Sequence, residues 1–281
     1  MNTYVVKHRI IKILCYIFLV LLAIMCIGPV YMLLINATRS TRDILGSFSL
    51  VPGTSMDDNW RAIIASGADL FLGLRNSIII SASVTVLTVY FSLLTAYALS
   101  AYNIKIKNFY YGFIMVMVLV PGQLYIIGFF QHMNTFNLLG TFWPLIIPAI
   151  ASASTTFFMK QYLDGALVPE LIQAARIDGA SEFTIFNFIA LPLAAPGAFT
   201  FAIFTFVGSW NAFIGPLFIL GSDISMHTLP LVMRRIQAGG YVPDMGAIYL
   251  SMAITLLPII IVYLIFSRFI VSGLTLGSIK E

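Results

Sequence analysis

The sequence predicts an all-α integral membrane protein with six transmembrane helices, and three observations lead to this prediction. The chain of 281 residues is 60% hydrophobic and only 9% charged, with a mean hydropathy of +0.97. Soluble domains carry about 25% charged residues, so this surface cannot be hydrated all round. Long intervals without any charged residue alternate with short charged segments.

The uncharged intervals give the number of spans, because one span needs about 20 apolar residues. The interval 108–159 is too long for one helix but fits two, and the polar stretch QHMNTFNLLG at 131–140 is the expected turn between them. The six expected spans lie near residues 12–35, 76–101, 108–130, 141–162, 193–219 and 246–268.

The first span follows a basic start at residues 7–12, which also allows a cleaved signal peptide. Its apolar run, residues 13–35, is longer than the apolar region of a signal peptide, and no small-x-small cleavage site follows it. We therefore expect an uncleaved helix after a short N-terminal segment, residues 1–11.

The distribution of lysine and arginine gives the expected orientation. With the N terminus in the cytoplasm, nine of the fifteen Lys and Arg residues lie on the inside, as the positive-inside rule favours. Six Asp residues balance the six outside Arg residues. We therefore expect cytoplasmic termini, an extracytoplasmic loop at 36–75, a cytoplasmic loop at 163–192 and a cytoplasmic tail at 269–281.

Several function classes are disfavoured. Proton pumps place ionisable residues at membrane depth, and these spans have none, although backbone carbonyls can bind sodium. The chain has no G-x-x-x-x-G-K-[ST] phosphate loop, so it cannot bind ATP by that route. No catalytic triad or metal motif occurs, and no basic stripe suits nucleic acid. We expect no catalytic residue, metal or cofactor.

Neutral polar residues within the spans suggest a path for an uncharged, hydroxyl-rich solute. The larger polar groups, which need a partner or water inside a membrane, are Gln123, Tyr125, Trp210 and Asn211. We predict that these four line the path. Ordinary packing between membrane helices is the alternative, since small and hydroxyl residues are common there.

The segment QAARIDGASEFTIFNFIALP, residues 173–192, is unusually polar for this chain. Pro169 suits a first helical position, Gly179 suits a helix end, and Ser181 can cap a second helix. We expect two short helices with a tight turn. The second should carry Phe183, Phe186 and Ile189 along one side and end at Leu191-Pro192.

The paired alanines in this segment would let a helix approach a partner surface closely, and an aromatic second helix would hold the first one rigidly. A rigid helix joined to two spans transmits force, as a flexible loop does not. The alternative is an amphipathic loop lying on the membrane surface.

The order Gln173-Ala174-Ala175, Gly179, Ile189, Leu191-Pro192 resembles the E-A-A loop of binding-protein-dependent ABC importer permeases. The longer stretch VPELIQAARIDGAS is similar to the carbohydrate branch of that family, the maltose-type second permease subunits. Four further landmarks follow the family's order: LRNSIIISAS (74–83), TAYALSAY (95–102), SWNAFIGPL (209–217) and VSGLTLGSIKE (271–281). The likeness covers residues 10–281, with Gln173 where the motif has Glu.

The resemblance implies the type I importer fold, with residues 76–268 as its core, and a permease rather than an enzyme. It implies that the E-A-A loop is a coupling helix, seated in a cleft of a separate ATPase subunit that supplies the energy. The residues it implies for this contact are Glu170, Leu171, Gln173, Ala174, Ala175, Arg176, Asp178 and Gly179.

The resemblance also implies partners. These are a sibling permease, two ATPase subunits and an extracytoplasmic solute-binding protein that meets the loop 222–245 with Arg234 and Arg235. The tail 272–281 either reaches the ATPase pair or is a frayed end. The implied substrate is a carbohydrate, expected to be an oligosaccharide. An amino-acid or peptide importer, a facilitator and a secondary transporter remain alternatives.

Overall fold

The computed structural model describes the backbone of residues 3–103, 105–238 and 243–276, and the side chains of residues 7–267 with the same internal gaps. Within these residues the regular structure is helical. In chain order the α-helices are α1 (Thr3–Asn36), α2 (Thr41–Gly46), α3 (Met56–Ala65), α4 (Leu70–Ala101), α5 (Lys107–Leu119), α6 (Ile126–Thr135), α7 (Trp143–Ile146), α8 (Ala153–Ala166), α9 (Pro169–Ile177), α10 (Glu182–Ile185), α11 (Leu191–Trp210), α12 (Ile214–Leu220), α13 (Leu229–Ala238) and α14 (Met245–Leu276).

Four helices in the described part of the chain are long and apolar enough to cross a membrane: Lys7–Asn36, Leu70–Ala101, Glu182–Trp210 and Met245–Ser267. A fifth candidate is the pair Lys107–Leu119 and Gly122–Thr135, which bends by 89°. The bend follows Pro121, which has no N–H to continue the helix. Four to five spans meet the length criterion, so the count of six stays a prediction.

The remaining predicted span, residues 141–162, is not one helix. It consists of α7, a 3-10 turn at Ile147–Ala151 that contains Pro148, and α8. Ser152 has an extended backbone and caps α8 by accepting a hydrogen bond from the Thr155 amide. Pro148 and the Ser152 cap together interrupt the helix. The absence of charge, on which the predicted span was based, does not indicate such a break.

The other predicted bounds need smaller corrections. The second span begins at Leu70 rather than 76, because the helix continues through Arg75. The fifth predicted span, 193–219, is a helix that starts earlier, at Glu182, and stops at Trp210, before the separate α12.

The described residues form two compact units, which lie within Met1–Asp69 with Met233–Leu257 and within Leu70–Val232 with Pro258–Glu281. In the second unit α4 packs against α8 and α11. The buried cluster between them includes Leu93, Ala96, Met159, Leu163 and Ala194. This cluster supports the segment that carries the candidate site.

Gly197 is required for close packing of α11 on α8, because an added Cβ would lie 2.8 Å from Cγ of Tyr162. We expect Gly197→Ala to destabilise the protein by about 1–3 kcal/mol through overpacking. In the same helix, a Cβ at Gly208 meets nothing within 4 Å. Gly208→Ala should be neutral or stabilising by up to about 1 kcal/mol. Thermal unfolding of the purified variants measures both, and equal stability of the two variants would contradict this packing.

Candidate functional site

Helix α9 has clear local signals at both ends. Pro169 occupies the first helical position and Glu170 the first turn, where the helix dipole favours a negative charge. At the other end Gly179 has a φ of +80°, and the Ala180 amide donates to the Ala175 carbonyl at 3.0 Å. These features form a Schellman end, so the predicted stop at Gly179 is confirmed.

The second short helix begins as predicted but does not end as predicted. Ser181 caps it by accepting a hydrogen bond from the Thr184 amide at 3.2 Å. After α10 the chain continues through a π turn, Phe186–Ala190, directly into α11, so the expected end at Leu191-Pro192 is wrong. The wider turn lies just before Pro192, whose missing N–H and bulky ring would disturb a regular α ladder.

The inward-facing side chains of this segment differ in part from the prediction. Phe186 is buried and Ile189 packs against the core, as expected, but Phe183 is 70% exposed. The fully buried Ile185 takes the place expected for Phe183. Both residues precede the π turn, so the difference comes from the packing of α10 on the core, where Ile185 joins the buried cluster.

Helix α9 is fastened to the core of the second unit by its inner face. Ile172 is buried and Ala175 half-buried, and both belong to the cluster formed by α4, α8 and α11. The small Ala175 side chain lets the α9 backbone lie close to this core. The helix is therefore held as a rigid projection.

A group of polar contacts, here called the polar clasp, joins the turn after α9 to the end of α4. Arg176 Nε donates to Glu182 Oε1 at 2.6 Å, and the Tyr97 hydroxyl donates to Glu182 Oε2 at 3.0 Å. The Arg176 guanidinium also lies 5.1 Å from the ring centre of Tyr102. The hydrogen bond to Glu182 raises the pKa of Arg176 above its ordinary value, so the guanidinium stays charged opposite the Glu182 carboxylate.

A second polar network joins α4, α5 and α8 nearby. Ser100 donates to Asp164 at 2.8 Å, and Asp164 pairs with Lys160 one turn earlier. Lys160 is only 8% exposed and lies 4.5 Å from the ring centre of Tyr111. The hydroxyl of Tyr111 accepts from Gln161 at 2.6 Å. These contacts extend the connection from the end of α4 to two further helices.

Sequence reasoning missed both networks. The signal available for the clasp was the pair of tyrosines in TAYALSAY, at the end of a predicted span. Charged residues on both sides of the Gly179 turn gave a second signal. Neither signal says which residues meet, because Tyr97 and Glu182 are separated by 85 residues.

The outer face of α9 is defined here by its exposed residues Leu171, Gln173, Ala174, Ile177, Asp178 and Gly179. Ile177 is 86% exposed and Leu171 42% exposed, so the face combines an apolar patch with the polar side chains of Gln173 and Asp178. Ile177 was not among the predicted site residues. Glu170 is also exposed, whereas Ala175 and Arg176 are half-buried and contact their own subunit. An apolar patch on a fixed helix is typical of a protein-binding surface.

The four predicted path residues fall into two groups. Gln123 and Tyr125 are exposed in the 3-10 turn at the 89° bend, and Asn211 is exposed directly after α11. Trp210, in contrast, is only 2% exposed and stacks on Phe206 with ring centres 5.6 Å apart. Trp210 thus packs inside the subunit and supports the end of α11.

A mostly apolar open cavity of about 840 Å³ lies between α4 and residues 141–146. None of the four predicted path residues lines it. Among the described residues no group of three or more His, Cys, Asp or Glu side chains could hold a metal ion.

Comparison with known proteins places these elements in a family. The family of binding-protein-dependent transport system inner membrane components matches residues 88–275. This chain belongs to that family. The matched region contains the polar clasp and the whole of α9. The prediction of an ABC importer permease is confirmed at the level of the family, and the protein is embedded in a membrane.

Curated relatives extend the likeness over nearly the whole chain. The chain is 32% identical over 262 residues to AraQ, an arabinooligosaccharides transport system permease protein of Halalkalibacterium halodurans, covering 92% of this chain and 93% of the relative. It is 29% identical over 275 residues to UgpE, an sn-glycerol-3-phosphate transport system permease protein of Yersinia pestis, covering 95% and 97%.

A solved structure confirms the predicted fold. It is the crystal structure of a bacterial ABC transporter involved in the import of the acidic polysaccharide alginate, and one of its chains aligns with a TM-score of 0.80. The alignment covers 94% of this permease and 98% of that chain, at 19% sequence identity. The permease therefore has the helical membrane fold of type I importers.

Proposed function

We propose that this permease forms the translocation path for a carbohydrate, with an oligosaccharide as the favoured substrate, in an importer driven by separate ATPase subunits. The observation that carries the ATPase part is the outer face of α9. It presents small and apolar side chains on a helix held by a buried core and the polar clasp. Such a surface suits a close-fitting protein partner better than water.

The energy must come from a partner under this proposal. The sequence has no phosphate loop, and no charged residue lies in the middle of a predicted span, where ion coupling would need one. We place α9 on the cytoplasmic side, where the excess of Lys and Arg also places both termini. The contact residues are Leu171, Gln173, Ala174, Ile177, Asp178 and Gly179, with Glu170 at the edge. Ala175 and Arg176 hold the helix from behind.

Closure of the ATPase subunits would push or pull α9 as a rigid body. The polar clasp passes this movement to α4, and the Ser100–Asp164 contact passes it to α8. Residues on three helices would then move together, which is what a switch between inward-facing and outward-facing states requires. Gln173 lacks the carboxylate of the family motif, so docking here depends on shape rather than on that charge.

The remaining partners follow from the same role. The six predicted spans are few to enclose a path, so a sibling permease, expected to be a different chain, would form its other half. A solute-binding protein would meet the outer segment 222–245, where α13 presents Arg234 on an exposed face. Gly239-Gly240 of this segment and the end of the tail, residues 277–281, lie outside the described residues.

The substrate proposal rests on relatives and on chemistry. AraQ serves arabino-oligosaccharides, and the exposed Gln123, Tyr125 and Asn211 are neutral hydrogen-bonding groups. Neutral polar groups can form hydrogen bonds with sugar hydroxyls, and aromatic rings can pack against the faces of sugar rings. UgpE serves sn-glycerol 3-phosphate, which makes a small phosphorylated polyol the second candidate.

The test is reconstitution. The permease is expressed with its genomic neighbours, purified, and placed in liposomes with the solute-binding protein outside and ATP inside. We expect an ATPase subunit to co-purify, and uptake of a neutral oligosaccharide to need ATP and to persist when ionophores remove proton and sodium gradients. Uptake that follows an ion gradient, or proceeds without ATP, would refute the ATP-driven importer. Uptake of glycerol phosphate alone would refute the oligosaccharide.

A further inference from the structure

Residues 44–51, here called the apolar loop, present bulky side chains outward from the first unit. Leu45, Phe48 and Val51 are 68%, 77% and 69% exposed, and Leu50 is 55% exposed. No charged residue occurs between Asp43 and Asp57. A contiguous apolar patch of this kind marks a site of contact with a protein or a membrane.

The apolar loop is fixed in place by contacts on both sides. Buried Arg39 donates to the carbonyls of Asp43 and Ser47, each at 2.7 Å. After the loop, the Gly53 and Ser55 amides donate to the hydroxyl and carbonyl of Thr38, each at 2.9 Å. These hydrogen bonds therefore fix the backbone on both sides of the apolar loop, whose bulky side chains point outward.

One hydrogen bond gives the depth of the loop. The hydroxyl of Tyr31 donates to the Leu50 carbonyl at 2.8 Å. Tyr31 lies in α1, which ends at Asn36, so its Cα is about 7 Å below the helix end at 1.5 Å per residue. Helical side chains also lean toward the N terminus. Leu50 therefore lies beside the last turns of the candidate span Lys7–Asn36, not beyond them.

We propose that the apolar loop inserts into the lipid interface of the leaflet in which α1 ends. Lipid is favoured as the occupant because the loop is continuous with a span of mean hydropathy 2.9 whose most apolar window has no buried residue in this chain. Tyrosine is typical of that depth in a membrane. Interfacial segments reach about 5–10 Å into the boundary between headgroups and acyl chains, which suits the position of Leu50.

The test measures the surroundings of single fluorescent labels in the complete transporter, reconstituted in lipid nanodiscs. Cys15 and Cys26, both exposed, are first replaced by serine. An environment-sensitive fluorophore is then attached to Phe48→Cys or Val51→Cys, and to Asp57→Cys as the matched control in an exposed, charged part of the same loop region. Two quenchers are compared: a water-soluble one, and a nitroxide attached near the headgroup end of a lipid acyl chain.

We expect labels at positions 48 and 51 to emit at shorter wavelength and to be quenched several-fold more by the lipid nitroxide than the label at position 57. The proposal would be overturned if the water-soluble quencher acted on the labels at positions 48 and 51 as strongly as on the label at position 57. Labels shielded from both quenchers would also overturn it, because a protein partner would then cover the loop. Should one labelled variant fail to assemble, the other and Leu45→Cys give the same comparison.

Discussion

Replacing Gly179 by valine should abolish ATP-driven uptake while leaving the protein in the membrane. Gly179 has a φ of +80°, a conformation that costs a β-branched residue about 1–2 kcal/mol or more. The strain falls on the turn that joins α9 to the Ser181 cap, so it would unwind the end of α9 and misdirect the clasp residues on either side. Uptake into proteoliposomes and co-purification of the ATPase subunit measure the effect, and both should fall together.

Two further variants separate backbone strain from partner contact. Asparagine tolerates a positive φ, so Gly179→Asn adds a side chain with little strain. A Cβ at position 179 meets nothing within 4 Å in this chain, so we attribute a loss of ATPase association in Gly179→Asn to the contact with the partner. Gly140 has a φ of +74° and equally open surroundings, so Gly140→Val imposes the same strain away from α9 and should leave ATPase association unchanged. Wild-type uptake by Gly179→Val would contradict the role given to this turn.

Replacing Glu182 by alanine should uncouple the transporter. Glu182 accepts hydrogen bonds from both Arg176 and Tyr97, so its loss leaves Arg176 without its acceptor and frees the turn from α4. The side chains of Arg176 and Glu182 are 34% and 43% exposed, so solvent screens the pair and its effect on stability should be about 1 kcal/mol or less. The larger expected effect is functional: several-fold less solute imported for each ATP hydrolysed.

The charge-swapped double variant, Arg176→Glu with Glu182→Arg, is the control that isolates the pair. It restores opposite charges across the turn and should recover part of the coupling that either single variant loses. Asp58→Ala removes a carboxylate from an exposed ion pair and should change nothing, because both side chains of that pair are about 80% exposed. Normal transport per ATP in Glu182→Ala would show that the clasp does not transmit movement.

The sequence predicted those parts of the fold that depend on local signals. Pro169, Gly179 and Ser181 act through backbone geometry within a few residues, and the structure has α9 and its turn where they predict them. The apolar helix Lys7–Asn36 follows from composition alone. Motif order was enough for the family, since the matched region contains the whole segment around α9.

The parts that differ from the prediction, or were missed, depend on which side of each helix the tertiary packing buries. The buried side of α10 is set by the core against which it packs, and Ile185 rather than Phe183 lies on that side. The polar group of Trp210 predicts that it lines the path, whereas in the structure its ring is buried and stacks on Phe206, four residues earlier in α11. Ile177 is not part of the family motif, and its exposure becomes apparent only once the buried and exposed faces of α9 are known.

The most direct measurement is site-specific photo-crosslinking from the tip of α9. A photoreactive p-benzoylphenylalanine at Ile177, which is 86% exposed, is compared with the same residue at Ile106, which is 53% exposed and is expected on the same side of the membrane. In the complete transporter we expect position 177 to crosslink to the ATPase subunit, and position 106 to do so weakly or not at all. Crosslinks from position 177 to the solute-binding protein, or no preference of 177 over 106 for the ATPase, would contradict the account.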